Sequence, residues 1–78
     1  MLYISDVIRK IMIDRGVSVT TLSKKIGVAT SNLSRKLQNK NEDYKISYLQ
    51  DIAIALNCDI SINFIDSDTK KVLYTLEK

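Results

Sequence analysis

Residues 18–37 read SVTTLSKKIGVATSNLSRKL, and their spacing decides the fold. Leu22 and Ile26 stand four apart and share one helical face. Gly27 interrupts, Val28 and Ala29 follow, and Leu33 and Leu37 again stand four apart. Two short helices joined by a tight turn containing Gly form a helix-turn-helix unit. The second helix uses Leu33 and Leu37 for packing. That leaves Thr30, Ser31, Asn32, Ser34, Arg35 and Lys36 without a core role. A short, polar, partly basic surface of this kind fits a DNA major groove.

Working outward, the spacing predicts a first helix over Asp6–Arg15. Ser5 is expected to cap it, and Asp6 suits the positive end of its dipole. Ile4, Val7, Ile8, Ile11 and Met12 form its apolar stripe, and Gly16 supplies a left-handed stop. Ser18 caps the second helix, which Gly27 ends. The third helix is expected over Thr30–Leu37, with Thr30 and Ser31 as capping residues and Asn39 closing it in a left-handed conformation. Residues 38–46, QNKNEDYKI, read as a polar loop. Ser47 is expected to cap a fourth helix whose buried stripe is Leu49, Ile52, Ala53 and Leu56, and which Asn57 ends.

The period then changes. Ile60, Ile62 and Phe64 alternate with Ser61 and Asn63, which predicts a strand. Asp66, Ser67, Asp68 and Thr69 form a turn cluster. Val72, Tyr74 and Leu76 alternate with Leu73 and Thr75 in a second strand. An isolated hairpin is marginally stable in water and is expected to pack on something. The expectation is therefore a mainly α single domain over residues 1–78. It comprises a helical bundle over 1–57 and a C-terminal β-hairpin over 58–78.

The chain has 78 residues, and a domain this small buries only about 60% of its unfolded surface. Hydrophobic residues at 45% and charged ones at 27% argue against disorder. No apolar run approaches the ~18 residues of a membrane span. The first residues, MLYISDVIRK, do not read as a signal peptide. Cys58 is the single cysteine, so neither an intramolecular disulfide nor a thiolate metal site is expected, and a cytoplasmic setting is. Histidine is absent, which removes the commonest general base and metal ligand. No GxSxG, P-loop or clustered-carboxylate motif organises the remaining polar residues, so neither an enzyme nor a cofactor nor a small-molecule ligand is expected.

The net charge is +3, unevenly placed. Residues 17–45 hold six basic side chains, Lys24, Lys25, Arg35, Lys36, Lys40 and Lys45, against Glu42 and Asp43. The rest of the chain holds six basic and seven acidic residues. The positive excess lies on the helix-turn-helix and the loop after it, which favours a polyanionic partner.

These residues resemble the helix-turn-helix of phage Cro and repressor proteins, the Xre group. The resemblance covers Val17 to Ile60. It is carried by Leu22, Ser23, Ile26, Gly27, Val28, Leu33, Ser34 and Arg35, then by Leu49, Ile52, Ala53, Leu56 and Asn57. It implies a lambda-repressor-like domain of four short helices that binds double-stranded DNA. The family's DNA-facing positions fall on Thr30, Ser31, Asn32 and Arg35. Asn39 departs from the family pattern, where Gly is usual. So does Val19, where a phosphate-contacting Gln is common; backbone amides at the start of helix two remain as phosphate ligands. The expected DNA contacts are Ser18, Lys25, Ala29, Thr30, Ser31, Asn32, Ser34, Arg35, Lys36 and Lys40. Arg35 is the candidate for guanine and Asn32 for adenine.

The hairpin resembles appendages of small phage-type regulators and is expected to build a homodimer. Its candidate contact residues are Ile60, Ile62, Phe64, Ile65, Val72, Leu73, Tyr74 and Leu76. The competing expectation is an antitoxin-type regulator whose hairpin binds a partner protein. Tyr44 and Tyr48 read as half-buried lids with wet hydroxyls, and Cys58 as a small buried filler.

Overall fold

Two glycines cut the N-terminal half into helices. The computed structural model describes residues 3–77, and in it Gly16 and Gly27 have φ values of 65° and 75°. Apart from the adjoining residues, no atom lies within 4 Å of a Cβ built at either position. Backbone conformation, not crowding, therefore demands glycine there. The helices are α1 (Ile4–Arg15), α2 (Val19–Ile26), α3 (Thr30–Gln38) and α4 (Ile46–Ala55). An antiparallel hairpin of β1 (Ser61–Ile65) and β2 (Val72–Glu77) follows.

Three of the helices end alike. Gly16, Gly27 and Asn57 are left-handed. The amides of the next residues, Val17, Val28 and Cys58, reach back to Met12 O, Ser23 O and Ala53 O at 2.8–3.0 Å. Each of these residues also packs partly buried against the core, as a left-handed helix end favours.

Helix α3 ends differently. Asn39 has φ −90° and ψ 110°, an extended conformation rather than the left-handed one its sequence suggests. The exposed carbonyls are satisfied from α1 and the following loop. Ser5 Oγ lies 3.1 Å from Lys36 O and 3.0 Å from Asn39 O. Tyr44 OH donates to Lys36 O at 3.1 Å and lies 2.7 Å from Ser5 Oγ. Two hydroxyl protons thus serve the end of a helix that no left-handed residue closes. Ser5 is 1% exposed. It is therefore not the cap of α1, as its position in the sequence suggests, but an interior residue of that helix. Tyr3 stands at the cap and makes no side-chain cap bond. Ser47 is likewise no cap: α4 begins one residue before it, after an extended Lys45 whose carbonyl accepts from Leu49 N at 3.0 Å.

The core is formed by Ile8, Met12, Leu22, Leu33, Leu37, Tyr44, Ile52 and Leu56. Helix α3 packs on α1 and α2, and α2 packs on α4. Only part of the α1 stripe is covered. Ile8 and Met12 are buried, whereas Ile4 and Val7 are 45% and 38% exposed.

The hairpin pairs Ile62 with Leu76 and Phe64 with Tyr74. Past Phe64 the register shifts, and Ile65 stands opposite Val72. Paired residues share a face, so Val72 leaves the face of Tyr74 and Leu76 that its alternation predicts. Leu73, the extra residue, causes the change. Asp66 organises the turn: its Oδ1 accepts from Asp68 N at 2.8 Å and Thr69 N at 3.0 Å. These backbone donors hold its carboxyl below the ordinary carboxylate range. The hairpin, expected to pack on something, does not pack on its own helices: among the described residues, no strand Cα comes within 8 Å of a helix Cα. Two strands pair fully with each other and leave the helices to close their own core.

Ser5→Ala should cost about 1–3 kcal/mol, because it strips a partner from buried carbonyls. In a domain of this size each kcal/mol lowers Tm by about 4–8 °C. Tyr44→Phe keeps the ring and should cost about 1 kcal/mol. Thermal and urea unfolding check both. A Ser5→Ala chain as stable as wild type would show that solvent can satisfy the end of α3 equally well.

Candidate nucleic-acid interface

Helices α2 and α3 are locked at the turn by two small hydroxyl residues. Ser23 is fully buried and its Oγ donates to Thr20 O at 2.9 Å. Its single proton is thereby used. The 2.7 Å contact between Ser23 Oγ and Thr30 Oγ1 is then made with the Thr30 proton. Thr30 therefore turns its donor inward and keeps only lone pairs for an outside partner.

The N-terminus of α3 has no side-chain cap. Ala29 occupies the cap position in an extended conformation, and its carbonyl accepts from Asn32 N and Leu33 N, each at 3.1 Å. Neither Thr30 nor Ser31 acts as the cap their chemistry suggests, because Thr30 is committed to Ser23. The first turn carries no acidic residue. Amides at such a helix start attract anions. At α2, by contrast, Ser18 is the expected cap. Its Oγ accepts from Thr21 N at 3.1 Å and donates to Thr21 Oγ1 at 3.0 Å. Val19 is partly buried against the core, which withholds its side chain from any phosphate.

Leu33 and Leu37 face inward. The opposite face of α3 presents Ser31, Asn32, Arg35 and Gln38, all exposed. Arg35 Nη2 donates to Asn32 Oδ1 at 2.8 Å, so the two candidate base readers stand side by side. Ser34 lies half-buried on the flank, where its Oγ accepts from Gln38 Nε2 at 3.4 Å. The sequence reading passed over Gln38. Its spacing, three beyond Arg35 and seven beyond Ser31, carries the signal that it shares their face.

The lysines named from sequence do not gather on this face beside Arg35. Lys36 Nζ donates to Glu42 Oε2 at 3.0 Å and sits 5.4 Å from the Tyr48 ring centre. Glu42 raises the Lys36 pKa, and Lys36 in turn lowers that of Glu42. Lys25 lines a shallow depression with Ile26, Asp51, Ile54 and Ala55, on the flank of α2 turned to α4. Lys40 is exposed in the loop after α3.

The tyrosine hydroxyls are not wet. Tyr44 is buried and bonded to Ser5 and Lys36 O. The Tyr48 hydroxyl is buried with no hydrogen-bond partner among the described residues, and burial raises its pKa. Cys58 is half-buried against the core.

Of the candidate dimer residues, Ile60 and Ile62 are half-buried. Phe64, Ile65, Val72, Leu73, Tyr74 and Leu76 are each more than half exposed. Ile62, Phe64, Tyr74 and Leu76 form one face, and Ile65 and Val72 lie on the other. No helix among the described residues is long and apolar enough to cross a membrane.

The family model for the Cro/C1-type HTH DNA-binding domain matches residues 7–61, more than half of the chain. No curated protein and no solved structure matches it.

The Lys36–Glu42 pair carries a pH signature. Glu42 has a depressed pKa, so its contribution to stability is present above the ordinary value of 4.5. It is lost as pH falls through the lowered value. The raised pKa of Lys36 gives a contribution lost only in alkali. The Tm gap between wild type and Glu42→Gln should therefore be open at neutral pH and close in acid. A gap independent of pH would show that the pair contributes nothing through its charge.

Proposed function

The chain belongs to the Cro/C1-type helix-turn-helix DNA-binding family, and from that premise we propose that it is a phage-type, Cro- or repressor-like transcriptional regulator. It reads double-stranded DNA by sequence, with α3 in the major groove. The observation that carries this reading is the Asn32–Arg35 pair on the exposed face of α3. Both side chains can make the paired hydrogen bonds that base edges require, Arg35 with two donors and Asn32 with one donor and one acceptor. Arg35 suits the O6 and N7 acceptors of guanine, and Asn32 the N6 and N7 of adenine. In free protein each occupies the other, and on DNA that bond is exchanged for base contacts.

Phosphates are held by the amides at the start of α3, by Ser18 and Ser31, and by Lys25 and Lys40 at the margins. Thr30 acts through its lone pairs only and positions the helix start against α2. One such module reads few base pairs. The reading therefore includes a homodimer that joins through the hairpin and sets two α3 helices about 34 Å apart on inverted half-sites.

Two measurements test this. With about four phosphate contacts per subunit, a dimer should lose on the order of a thousandfold or more in affinity between 50 and 200 mM salt. An affinity flat across that range would overturn the electrostatic part. Arg35→Ala should cost roughly 1–3 kcal/mol on the selected site and much less on random DNA. Equal losses on both DNAs would reduce Arg35 to a backbone contact. Selection of bound sequences from random duplexes should return inverted halves.

A further inference from the structure

An open groove of about 480 Å³ separates α1 from α4. Ile4, Val7 and Ile11 form one wall, Leu49 and Ala53 the other, and Ile60 closes one end. Its floor is the helical core itself. Asp59 is its one charged lining residue. Above its end the hairpin leaves the helices, with Phe64, Tyr74 and Leu76 at 56%, 77% and 51% exposure on the face they share with Ile62. Two apolar surfaces thus lie in one small chain, and neither covers the other.

We propose that the groove receives the hairpin of a second copy of this chain, and that the two copies exchange hairpins reciprocally about a two-fold axis. The proposal rests on the dimer reading above and adds to it the receiving surface. Two observations and an area estimate select this occupant. The end of the groove is the start of β1, since Ser61 lines it as well; from there β1 departs, and no strand of the chain's own hairpin packs on its helices. The charged residues of the hairpin tip, Asp66, Asp68, Lys70 and Lys71, lie in the turn, away from the face that Ile62, Phe64, Tyr74 and Leu76 present. An apolar face thus meets an apolar wall. The area also suffices. One hairpin face and its groove together bury on the order of 800 Å², and the two-fold doubles this to the ~1,600 Å² of a standard interface. An isologous exchange uses up both surfaces in each copy and closes the assembly at two.

Sedimentation and native mass spectrometry of the full chain test the exchange. Wild type should be a dimer. Val7→Lys, in the groove wall, and Tyr74→Lys, on the hairpin, should each weaken dimerisation about 100-fold or more, since each buries an unpaired charge in an apolar contact. The two variants mixed should form a heterodimer at concentrations where each alone is monomeric, because one hairpin–groove contact in it is intact. Far-UV circular dichroism and melting control for folding, and Ile4→Lys repeats the groove test at a second exposed position. A Val7→Lys chain that stays dimeric while Tyr74→Lys dissociates would place hairpin on hairpin and overturn this inference alone. Dimers unaffected by either change would overturn it too. A monomeric wild type would overturn the dimer reading and this inference together. None of these outcomes bears on DNA contact by α3, which the salt and Arg35 measurements test separately.

Discussion

The C-terminus of α3 depends on a serine thirty-odd residues away in sequence. Of the four helices, α3 alone lacks a left-handed residue to return its last carbonyls to its own backbone. Buried carbonyls without partners are costly, so the chain supplies Ser5 from α1 and Tyr44 from the following loop. At the other end, Thr30 is tied to buried Ser23 of α2. Leu33 and Leu37 anchor the middle in the core. The helix that carries the exposed polar face is thus fixed at both ends and along its inner side, by three different elements. A rigidly held helix presents Asn32 and Arg35 at low entropic cost, which is what a reader of base edges needs.

The electrostatics of that face are leaner than the lysine-rich sequence implies. Lys36 is held by Glu42 and lies over Tyr48, and Lys25 lies toward Asp51 on the α4 flank. Arg35 remains the cation at the centre of the exposed face. The first turns of α2 and α3 carry no carboxylate, so their amides are not neutralised. Attraction for a polyanion then comes from oriented backbone dipoles together with one arginine, and lysines at the margin add a general field.

How much of this was legible follows from the range of each interaction. Gly16, Gly27 and Asn57 end helices through local bonds, and local bonds leave local signatures. The leucine spacing of α2 and α3 reports a face whichever partner covers it. Ser5 was misread because a serine before an apolar stripe looks the same whether it caps its own helix or serves another. Asn39 was misread for the complementary reason: once Ser5 and Tyr44 satisfy the carbonyls, a left-handed end is not needed. The place of Val72 turned on Leu73, since one extra residue in a strand reverses every face beyond it. The Asn32–Arg35 face was readable, but which lysines flank it was not, because Glu42 holds Lys36 from the following loop and Lys25 lies on the side of α2 turned to α4.

The exposed hairpin poses a stability problem that the helices do not. A two-stranded sheet is marginal by itself, and here no helix supports it. A chain of 78 residues has little core to spare, and its eight-residue core cluster already closes without either strand. A surface outside its own fold would supply the support that the helices do not. If that surface is the α1–α4 groove of a second copy, folding of the strands and association are one equilibrium. Stability then rises with protein concentration. The same coupling would join association to DNA binding. The groove walls belong to α1, whose Ser5 holds the end of α3, and to α4, which packs on α2. Filling the groove would therefore brace the two helices against which the Asn32–Arg35 pair is set.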